Sequence, residues 1–370
     1  MKTPINICFV LHETYPYFKT SMAKITGGAE LQFYYLATQL AQKKHFNVSF
    51  IVGDFKQSRF EIIDNIKLIK SFNAKRNDNF IKKLIQAINF IKILINEKPE
   101  IIISTTNNTM VVLCSLYSIF SKSKHIHRIA HNKDTSFGRT KEFGILARIY
   151  SWGMRKADKI FVQNKEQQQN LLQNFNQKSI LFRNVFPIKK QIQSKKKHIL
   201  WVSRYQKWKQ AELFVNLAQK IPNFEFVMIC PVPSKKLEPN WLKLKQKVET
   251  ISNIIFIDYV PFHDIQVYFN KAIAFVNTSD FEGFPNTFLQ AMQGKTPIIS
   301  LNVNPDNFID EYNCGIFCNN NFDLLIEKTK ELLQNKNELK TKGENAFKYL
   351  KENHDINVIG KQLEEIIINL

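Results

Sequence analysis

Residues 279–292 combine side chains that bind phosphate and sugar with the predicted start of a helix. The segment reads SDFEGFPNTFLQAM and follows a buried apolar strand. Pro285 stands near the first helical position, where free N–H groups and the positive end of the helix dipole favour a diphosphate. Glu282 precedes this helix, and Asn286 and Gln290 are four residues apart on one face of it. The segment is therefore a candidate site for a phosphorylated ligand.

A second segment, residues 203–209, brings two cations to the end of another strand. It reads SRYQKWK. Arg204 and Lys209 are placed to bracket a phosphate, Arg as a planar fork and Lys as a point charge. The alternative is ordinary surface charge, but open α/β sheets bind ligands at the carboxyl ends of their strands.

A third motif, Gly27-Gly28-Ala29-Glu30, opens the first long helix. Gly28 allows a close approach of backbone to a phosphate or an acceptor. Taken alone, the pair is also typical of an ordinary loop or helix start.

The three motifs follow one another along the chain in the order Gly27–Glu30, residues 203–209 and residues 279–292. In that order they resemble the motifs of the family 4 retaining glycosyltransferases, which have the GT-B fold. That family has a Gly-Gly pair at the first helix, Gly-Arg followed by Lys in the C-terminal domain, and Glu-Gly-Phe with a second Glu. The resemblance covers residues 5–330. It implies transfer of a hexosyl group from a nucleotide-diphosphate sugar to a glycan or lipid-linked acceptor, in cell-surface polysaccharide synthesis.

The resemblance also implies a role for individual residues. The catalytic residues would be His131, Arg204, Lys209 and Glu282. The donor-binding residues would be Gly28, Ser203, Glu282, Gly283, Phe284, Pro285, Asn286, Thr287 and Gln290. Arg204 and Lys209 would neutralise the leaving diphosphate, and His131, at the end of a strand predicted over 127–131, would lie near the anomeric centre. No metal or other cofactor is expected, since two cations and a helix dipole would take the part of Mg²⁺.

Three departures from the family pattern concern the donor site. Gln290 replaces the Glu that usually holds the ribose hydroxyls; an amide still donates and accepts hydrogen bonds but carries no charge. Ser203 replaces the usual Gly beside Arg204. The stretch 302–308 reads NVNPDNF where the family is rich in glycine. Altered donor recognition is one consequence to expect.

The long loop after the first strand is the candidate acceptor-binding region. Its polar and aromatic residues include His12, Glu13 and Tyr15. The family resemblance leaves the identity of the acceptor open.

The elements that would position these residues alternate along the chain, short apolar strands with longer amphipathic helices. This rhythm predicts α/β architecture with buried parallel sheets. We expect two Rossmann-like, doubly wound domains facing each other across a cleft, as in GT-B. The predicted domains are an acceptor-binding domain over 1–186, a linker over 187–197, and a nucleotide-sugar-binding domain over 198–350. The C-terminal helix, 351–370, would pack back on the N-terminal domain.

Composition narrows the function classes. The 370 residues include 52 Lys and Arg against 32 Asp and Glu, a net charge of +20, which favours an anionic partner. Nucleic acid is not expected, because no helix-turn-helix, RRM or zinc signature accompanies the charge. The five cysteines show no paired framework, which is typical of reduced thiols in the cytosol. We expect no signal peptide and no membrane-spanning run.

Two basic amphipathic stretches, 79–95 and 139–156, are candidates for contact with an anionic membrane. On that hypothesis the protein is cytoplasmic and peripheral on the inner face of the membrane. The alternative is that both apolar faces belong to the core.

Other functions remain open at the level of sequence. One is a degenerate GT-B protein that binds a ligand or partner without turnover, suggested by Gln290 and Ser203. Another is a GT-B epimerase or phosphorylase, although no phosphorylase cofactor-lysine segment is seen.

Overall fold

The chain divides into two α/β units. A computed structural model describes residues 3–19, 22, 27–73, 79–105, 109–136, 144–190, 194–232 and 234–370. The first unit comprises Met1–Pro187 together with Ile356–Leu370, and the second comprises Ile188–Asp355. Each unit has its own sheet and its own core, so the predicted class of two Rossmann-like α/β domains is confirmed.

The first unit is built on an eight-stranded sheet in the order β3-β4-β2-β1-β5-β6-β7-β8. Its strands are β1 (Ile5–Val10), β2 (Phe46–Val52), β3 (Phe60–Ile63), β4 (Ile66–Lys70), β5 (Ile101–Thr105), β6 (Lys124–Arg128), β7 (Lys159–Val162) and β8 (Ile180–Leu181). Every neighbouring pair is parallel except β3 and β4, which form an antiparallel hairpin at one edge.

Helices cover both faces of this sheet and bury its apolar strands. They are α1 (Tyr15–Phe18), α2 (Gly28–Ala41), α3 (Phe80–Glu97), α4 (Thr109–Phe120), α5 (Ile145–Arg155), α6 (Lys165–Phe175) and, from the end of the chain, α14 (Ile356–Ile368). One face is closed by Phe33 of α2 against Phe9 and Phe50. The other is closed by α3, α4 and α5.

Strand β6 differs from the strand predicted over 127–131. It runs from Lys124 to Arg128, three residues earlier. The inward-facing residues His125 and His127 are fully buried. A strand whose core face carries imidazoles lacks the apolar alternation on which the prediction rested, and this accounts for the shift.

The two histidines form one continuous hydrogen-bonded chain in the core. Ser115 Oγ donates to the Gly153 carbonyl at 2.6 Å, so it must accept from His125 Nδ1 at 2.9 Å. His125 Nε2 therefore accepts from Ser104 Oγ at 2.7 Å, and Ser104 accepts from His127 Nδ1 at 2.9 Å.

The series of hydrogen bonds ends on helix α5, where Tyr150 donates to His127 Nε2 at 3.2 Å. Each imidazole is thus neutral, with a proton on Nδ1. Burial lowers the pKa of His125 to about 3 and that of His127 well below its ordinary value. The network ties β5 and β6 to α4 and α5.

The second unit is built on a six-stranded, all-parallel sheet in the order β11-β10-β9-β12-β13-β14. Its strands are β9 (His198–Val202), β10 (Glu225–Ile229), β11 (Ile254–Ile257), β12 (Ala272–Asn277), β13 (Ile298–Ser300) and β14 (Gly315–Phe317). Its helices are α7 (Ala211–Lys220), α8 (Glu238–Glu249), α9 (Gln266–Lys271), α10 (Asn286–Gln293), α11 (Phe308–Glu311), α12 (Phe322–Gln334) and α13 (Lys336–Asn353). The predicted helix over 286–293 has the bounds of α10.

The segment predicted as a linker and the predicted final helix both differ from the structure in their bounds. Residues 188–190 and 194–197 belong to the second unit, where Lys189 bonds Gln293 and Lys196 Nζ donates to the Gly294 carbonyl. Residues 191–193 lie outside the described chain. The predicted start of the last segment, residue 351, falls inside α13. The helix that packs on α2 is α14, with Glu364 accepting from His45 Nε2 at 2.7 Å.

Within the described residues, no helix is both long and apolar enough to cross a membrane.

Candidate functional site

The carboxyl ends of β9 and β12 bring the two predicted motifs of the second unit together. The strands are neighbours in the sheet and run parallel, so the loops that follow them leave from the same edge. The loop after β9 contains Ser203–Lys209, and the loop after β12 contains residues 278–285. This edge is where open α/β sheets bind their ligands.

An ion pair joins the two loops. Lys209 Nζ donates to Oε1 of Glu282, and Ser279 Oγ donates to the same oxygen at 3.0 Å. The two charged side chains are 16% and 18% exposed, so a ligand at the surface reaches both. The sequence predicted both residues, but their pairing is a finding of the structure.

A rigid frame holds Lys209 in place. Its carbonyl accepts from Thr278 Oγ1 at 2.7 Å, and Thr278 in turn accepts from the buried indole of Trp201 at 2.9 Å. Two residues after Thr278, Asp280 N donates to the Trp208 carbonyl at 2.8 Å, and Trp208 stacks on Phe281. Sequence reasoning missed Thr278; a hydroxyl directly after a buried strand was the available signal.

Arg204 is exposed at the same edge. Among the described residues, none forms a hydrogen bond or ion pair with its guanidinium. The backbone on either side is fixed, because Ser203 N donates to the Ile229 carbonyl at 3.1 Å and Tyr205 N to the Pro231 carbonyl at 2.9 Å. Arg204 therefore presents an available cation from a hydrogen-bonded backbone.

Helix α10 begins at the end of this loop and carries Gln290 on its buried side. Pro285 is its N-cap residue, and the proline side chain has no acceptor with which to cap the helix. Gln290 is 6% exposed. Its carbonyl accepts from Gln266, but within the part of the chain that is described, its side-chain amide forms no hydrogen bond. An amide that no side chain or backbone group engages is available to bond a polar ligand.

The remaining donor-site residues divide between backbone and side-chain roles. Phe284 is buried against Phe308 and His354, with ring centroids 5.4 and 4.4 Å apart, so its side chain belongs to the core. Gly283 and Pro285 are buried as well. Three residues at this edge are half-buried, namely Ser203, Asn286 and Thr287.

The loop after β13 compensates for its missing glycines. Asp306 and Asn307 have φ of 55° and 56°, in the left-handed region that usually calls for glycine. Asp and Asn tolerate this conformation better than other side chains. Asn302 Nδ2 donates to the Asp280 carbonyl at 2.7 Å, which connects the loop to the site.

In the first unit, Gly28 is the first residue of α2, with Gly27 as its N-cap. Gln32, one turn later, bonds Val185 twice, accepting from its N–H at 2.6 Å and donating to its carbonyl at 3.0 Å. This fixes the start of α2 over the chain that leaves β8.

The predicted acceptor residues lie after β1 and are largely packed within their own unit. His12 is 3% exposed, lies edge-on to Phe72, and has an Nε2 without a hydrogen-bond partner in the described chain. Burial lowers its pKa to about 4. The Tyr15 hydroxyl donates to Glu61, while Glu13 is half-buried.

His131 does not end a strand. It is the N-cap of a 3-10 turn over Asn132–Thr135, and its Nδ1 accepts from Lys133 N at 3.4 Å. The expectation of a strand-end position was wrong, because β6 ends three residues earlier. The residue that does end β6 is Arg128, which sequence reasoning missed. Its guanidinium is buried and donates to Asn184, and burial lowers its pKa to about 10.

Over the described ranges, no group of three His, Cys, Asp or Glu side chains comes together in a way that could hold a metal ion.

The motifs of the second unit lie in a region that resembles known proteins. Residues 182–349 match the family model described as glycosyl transferases group 1. A curated relative, glycosyltransferase 1 domain-containing protein 1 from Xenopus tropicalis, is 27% identical over 168 residues, 43% of this chain. The match spans 46% of that relative's length.

Solved structures resemble the whole chain. Sucrose-phosphate synthase from Thermosynechococcus elongatus has a TM-score of 0.81 at 14% identity, covering 99% of this chain and 98% of that one. HepE from Anabaena, solved with UDP and glucose, has a TM-score of 0.78 at 14% identity, covering 99% and 100%. The protein therefore has the fold of the GT-B glycosyltransferases, and its residues 182–349 match the group 1 glycosyltransferase model.

Proposed function

We propose that the protein is a retaining glycosyltransferase that moves a hexosyl group from a nucleotide-diphosphate sugar to a glycan or lipid-linked acceptor. The proposal is carried by one arrangement, the Lys209–Glu282 pair and the free Arg204 cation at adjacent strand ends. The match of residues 182–349 to group 1 glycosyltransferases supports it. Synthesis of a cell-surface polysaccharide is the role we assign.

The chemistry follows from where charge develops. As the glycosidic bond to phosphate breaks, negative charge grows on the leaving diphosphate. Arg204 and Lys209 would neutralise it, and the positive end of the α10 dipole would favour the same charge. This supply of positive charge is the reason we propose a reaction independent of metal ions.

Glu282 and Gln290 would bind the rest of the donor. Glu282, held by Ser279, has a second carboxylate oxygen with which to accept from the sugar hydroxyls. Gln290, buried and with its amide unpaired in the described chain, would bond the ribose. In our proposal the leaving diphosphate takes the acceptor's proton on the face from which it departs, which retains the anomeric configuration.

The acceptor side of the proposal rests on the first unit. Gly28 at the start of α2 and the polar residues His12, Glu13 and Tyr15 are the assigned acceptor contacts, with His131 near the anomeric centre. We assign the protein to the cytoplasm, in peripheral contact with the inner face of the membrane.

Binding without turnover is the second candidate function. It is motivated by the uncharged Gln290 and by Ser203, whose hydroxymethyl group occupies a half-buried position beside Arg204. In this case nucleotide would bind, but no sugar would be transferred.

Nucleotide binding is the first test. Thermal unfolding would be followed with UDP, GDP, CMP and dTDP, beginning with UDP because HepE was solved with it. We expect one nucleotide to raise the midpoint by several degrees, as a ligand at 100 times its Kd contributes about 2.7 kcal/mol. The Arg204→Ala/Lys209→Ala variant should lose the shift.

The matched control is Lys207→Ala, because Lys207 is an exposed cation in the same turn as Lys209. It should keep the shift. If no nucleotide stabilises the protein, or if the double variant still responds, the donor-site assignment is wrong. Nucleotide binding without donor hydrolysis or transfer would favour the second candidate. The anomeric configuration of a product, measured by NMR, decides retention.

A further inference from the structure

The first half of helix α3 exposes a dense set of large apolar side chains. These are Phe80, Ile81, Leu84, Ile85 and Ile88, with exposures of 80, 67, 52, 51 and 47%. Single exposed apolar residues are normal on protein surfaces, but a contiguous group marks an interaction site.

These side chains are not the face that α3 buries in its own unit. The core side of the helix carries Phe90 and Leu94, both fully buried against β1, β2 and β5. Residues 80, 84 and 88, and likewise 81 and 85, are four apart and form a separate stripe. The helix therefore has two apolar faces, and only one of them is covered within the unit.

Helix α5 repeats the pattern at its own start. Ile145, Leu146 and Ile149 are 73, 66 and 45% exposed, while Tyr150 and Met154 face the core. The predicted amphipathic stretch over 139–156 thus continues into α5, although its residues 139–143 lie outside the described chain.

The topology brings the two stripes to the same side and end of the unit. Helices α3 and α5 each lead into the amino end of a parallel strand, β5 and β7, so both begin at the carboxyl edge of the sheet. Helix α4 packs against both of them, and all three cover one face of the sheet. The exposed stripes therefore lie on either side of α4, at the carboxyl edge of the sheet.

The charge around this surface is predominantly positive; Asp78 and Glu142 precede the two helices in sequence, but basic residues outnumber them. Residues 80–96 contain Lys82, Lys83 and Lys92 and no Asp or Glu. Residues 144–157 contain Arg148, Arg155 and Lys156, again with no acidic residue. A surface with inserted aliphatic side chains and only cations between them is complementary to anionic lipid. Two copies of it would repel each other, which disfavours self-association through this face.

We propose that the starts of α3 and α5 form one membrane-docking surface, which inserts Phe80, Leu84, Ile85, Ile145 and Leu146 into an anionic lipid bilayer. The contact itself stands on these two helices alone. Its consequence, that the sugar acceptor is a membrane-resident lipid, rests on the proposed function.

The experiment is flotation of the full chain with vesicles of pure phosphatidylcholine and of phosphatidylcholine containing phosphatidylglycerol. We expect binding to the anionic vesicles, and a reduction of about fivefold in affinity for each cation replaced, as in Lys82→Gln or Arg148→Gln. The variant Phe80→Ser/Leu84→Ser/Ile85→Ser should lower affinity by about a hundredfold, as should Ile145→Ser/Leu146→Ser/Ile149→Ser.

The matched control is Leu242→Ser/Ile255→Ser/Val358→Ser, three apolar residues that are 44, 48 and 54% exposed elsewhere. It should bind vesicles as the unaltered chain does. Absence of binding by the unaltered chain, or equal binding by the stripe variants and the control, overturns the proposal. So does a dimer in solution that the stripe variants convert to monomer, which would assign the surface to a second copy.

Nucleotide stabilisation measured without vesicles separates this proposal from the proposed function. The stripe variants should keep the thermal midpoint and the nucleotide response of the unaltered chain. Loss of nucleotide response in the unaltered chain, with vesicle binding intact, would reject the transferase assignment but leave the docking surface in place.

Discussion

Each unit has a polar cluster on neighbouring parallel strands, and the two clusters behave in opposite ways. In the first unit, His125, Ser104 and His127 lie on β5 and β6 and are fully buried. All their hydrogen bonds are met within the core. In the second unit, Lys209 and Glu282 follow β9 and β12, are partly exposed, and stand beside an available Arg204.

The difference shows that residue type does not decide where chemistry occurs. Imidazoles are frequent catalysts, but here burial keeps them neutral and fixes each proton in a hydrogen bond. Lys and Glu, commonly paired on surfaces, are instead held by a buried Trp201–Thr278 frame at the ligand-binding edge of the sheet. Access to ligand, more than side-chain identity, separates the structural cluster from the candidate site.

The largest expected effect comes from removing positive charge from the second unit's cluster. Arg204→Ala and Lys209→Ala should each reduce transferase turnover by roughly 10²-fold or more, because a preorganised charge on the leaving group is lost. Initial rates with the nucleotide sugar identified by binding would measure this. Lys207→Ala, the exposed neighbour, should retain most of the activity. Full activity in both cluster variants would mean that phosphate binds elsewhere.

Removing a residue from the buried histidine network should instead lower the free energy of unfolding. His125→Ala leaves Ser104 and Ser115 without this partner and opens a cavity, which should destabilise the first unit by about 3 kcal/mol. Denaturant unfolding would measure the change, with the exposed His263→Ala as the control. Nucleotide affinity of the folded variant should stay the same. A fall in affinity as large as that of Lys209→Ala would contradict the division into structural and ligand-binding clusters.

A more gradual effect should appear on lowering the pH. His125 has a folded pKa of about 3, and burial lowers that of His127 too, whereas an unfolded histidine titrates near 6.5. Below pH 6.5 the unfolded chain binds protons that the folded chain cannot. Stability from these groups is therefore complete above that pH and falls by up to about 1.4 kcal/mol per pH unit for each histidine as the pH decreases.

Thermal unfolding between pH 7.5 and 4.5 would show this slope. His127→Gln should make it shallower, whereas His263→Gln should leave it unchanged. A midpoint that does not move with pH in the unaltered chain would mean that the buried imidazoles are charged when folded.

The smallest expected effect concerns Gln290. Gln290→Ala should weaken nucleotide binding by about fivefold, since one hydrogen bond to an uncharged group contributes about 1 kcal/mol. Gln290→Glu should bind at least as tightly as the unaltered chain, because a carboxylate accepts stronger hydrogen bonds from hydroxyls. Calorimetric titration with the nucleotide found above would measure both. Unchanged affinity in Gln290→Ala would remove this residue from the donor site.

Sequence patterns predicted the fold better than they predicted the neighbourhood of each residue. Helix α10 and the alternation of strands with helices follow from apolar periodicity, which local packing enforces. The hairpin of β3 and β4 was missed, because Phe60 and Ile62 are exposed on an edge strand and leave no buried run to detect. The shift of β6, and with it the misplacement of His131, came from histidines on its core face.

Among the site residues, Arg204, Lys209 and Glu282 could be named from their places after apolar runs. Thr278 also follows an apolar run, but its role could not be predicted, because it accepts from Trp201 and donates to Lys209, two partners about seventy positions away along the chain. The apolar stripe of α3 was visible as an amphipathic pattern. The solvent exposure of this stripe could not be predicted, because periodicity does not distinguish a helix face packed in the core from one exposed to solvent.

The sequence by itself determined two α/β units, a basic chain, and the order of the Gly-Gly, Arg–Lys and Glu-Gly-Phe motifs. These are local properties, set by side-chain period, charge and spacing. Only the tertiary structure decided that Lys209 meets Glu282, that His125 and His127 are neutral, and that the starts of α3 and α5 are left uncovered. Those facts depend on contacts between distant segments, and burial and hydrogen bonding are fixed only when the segments come together.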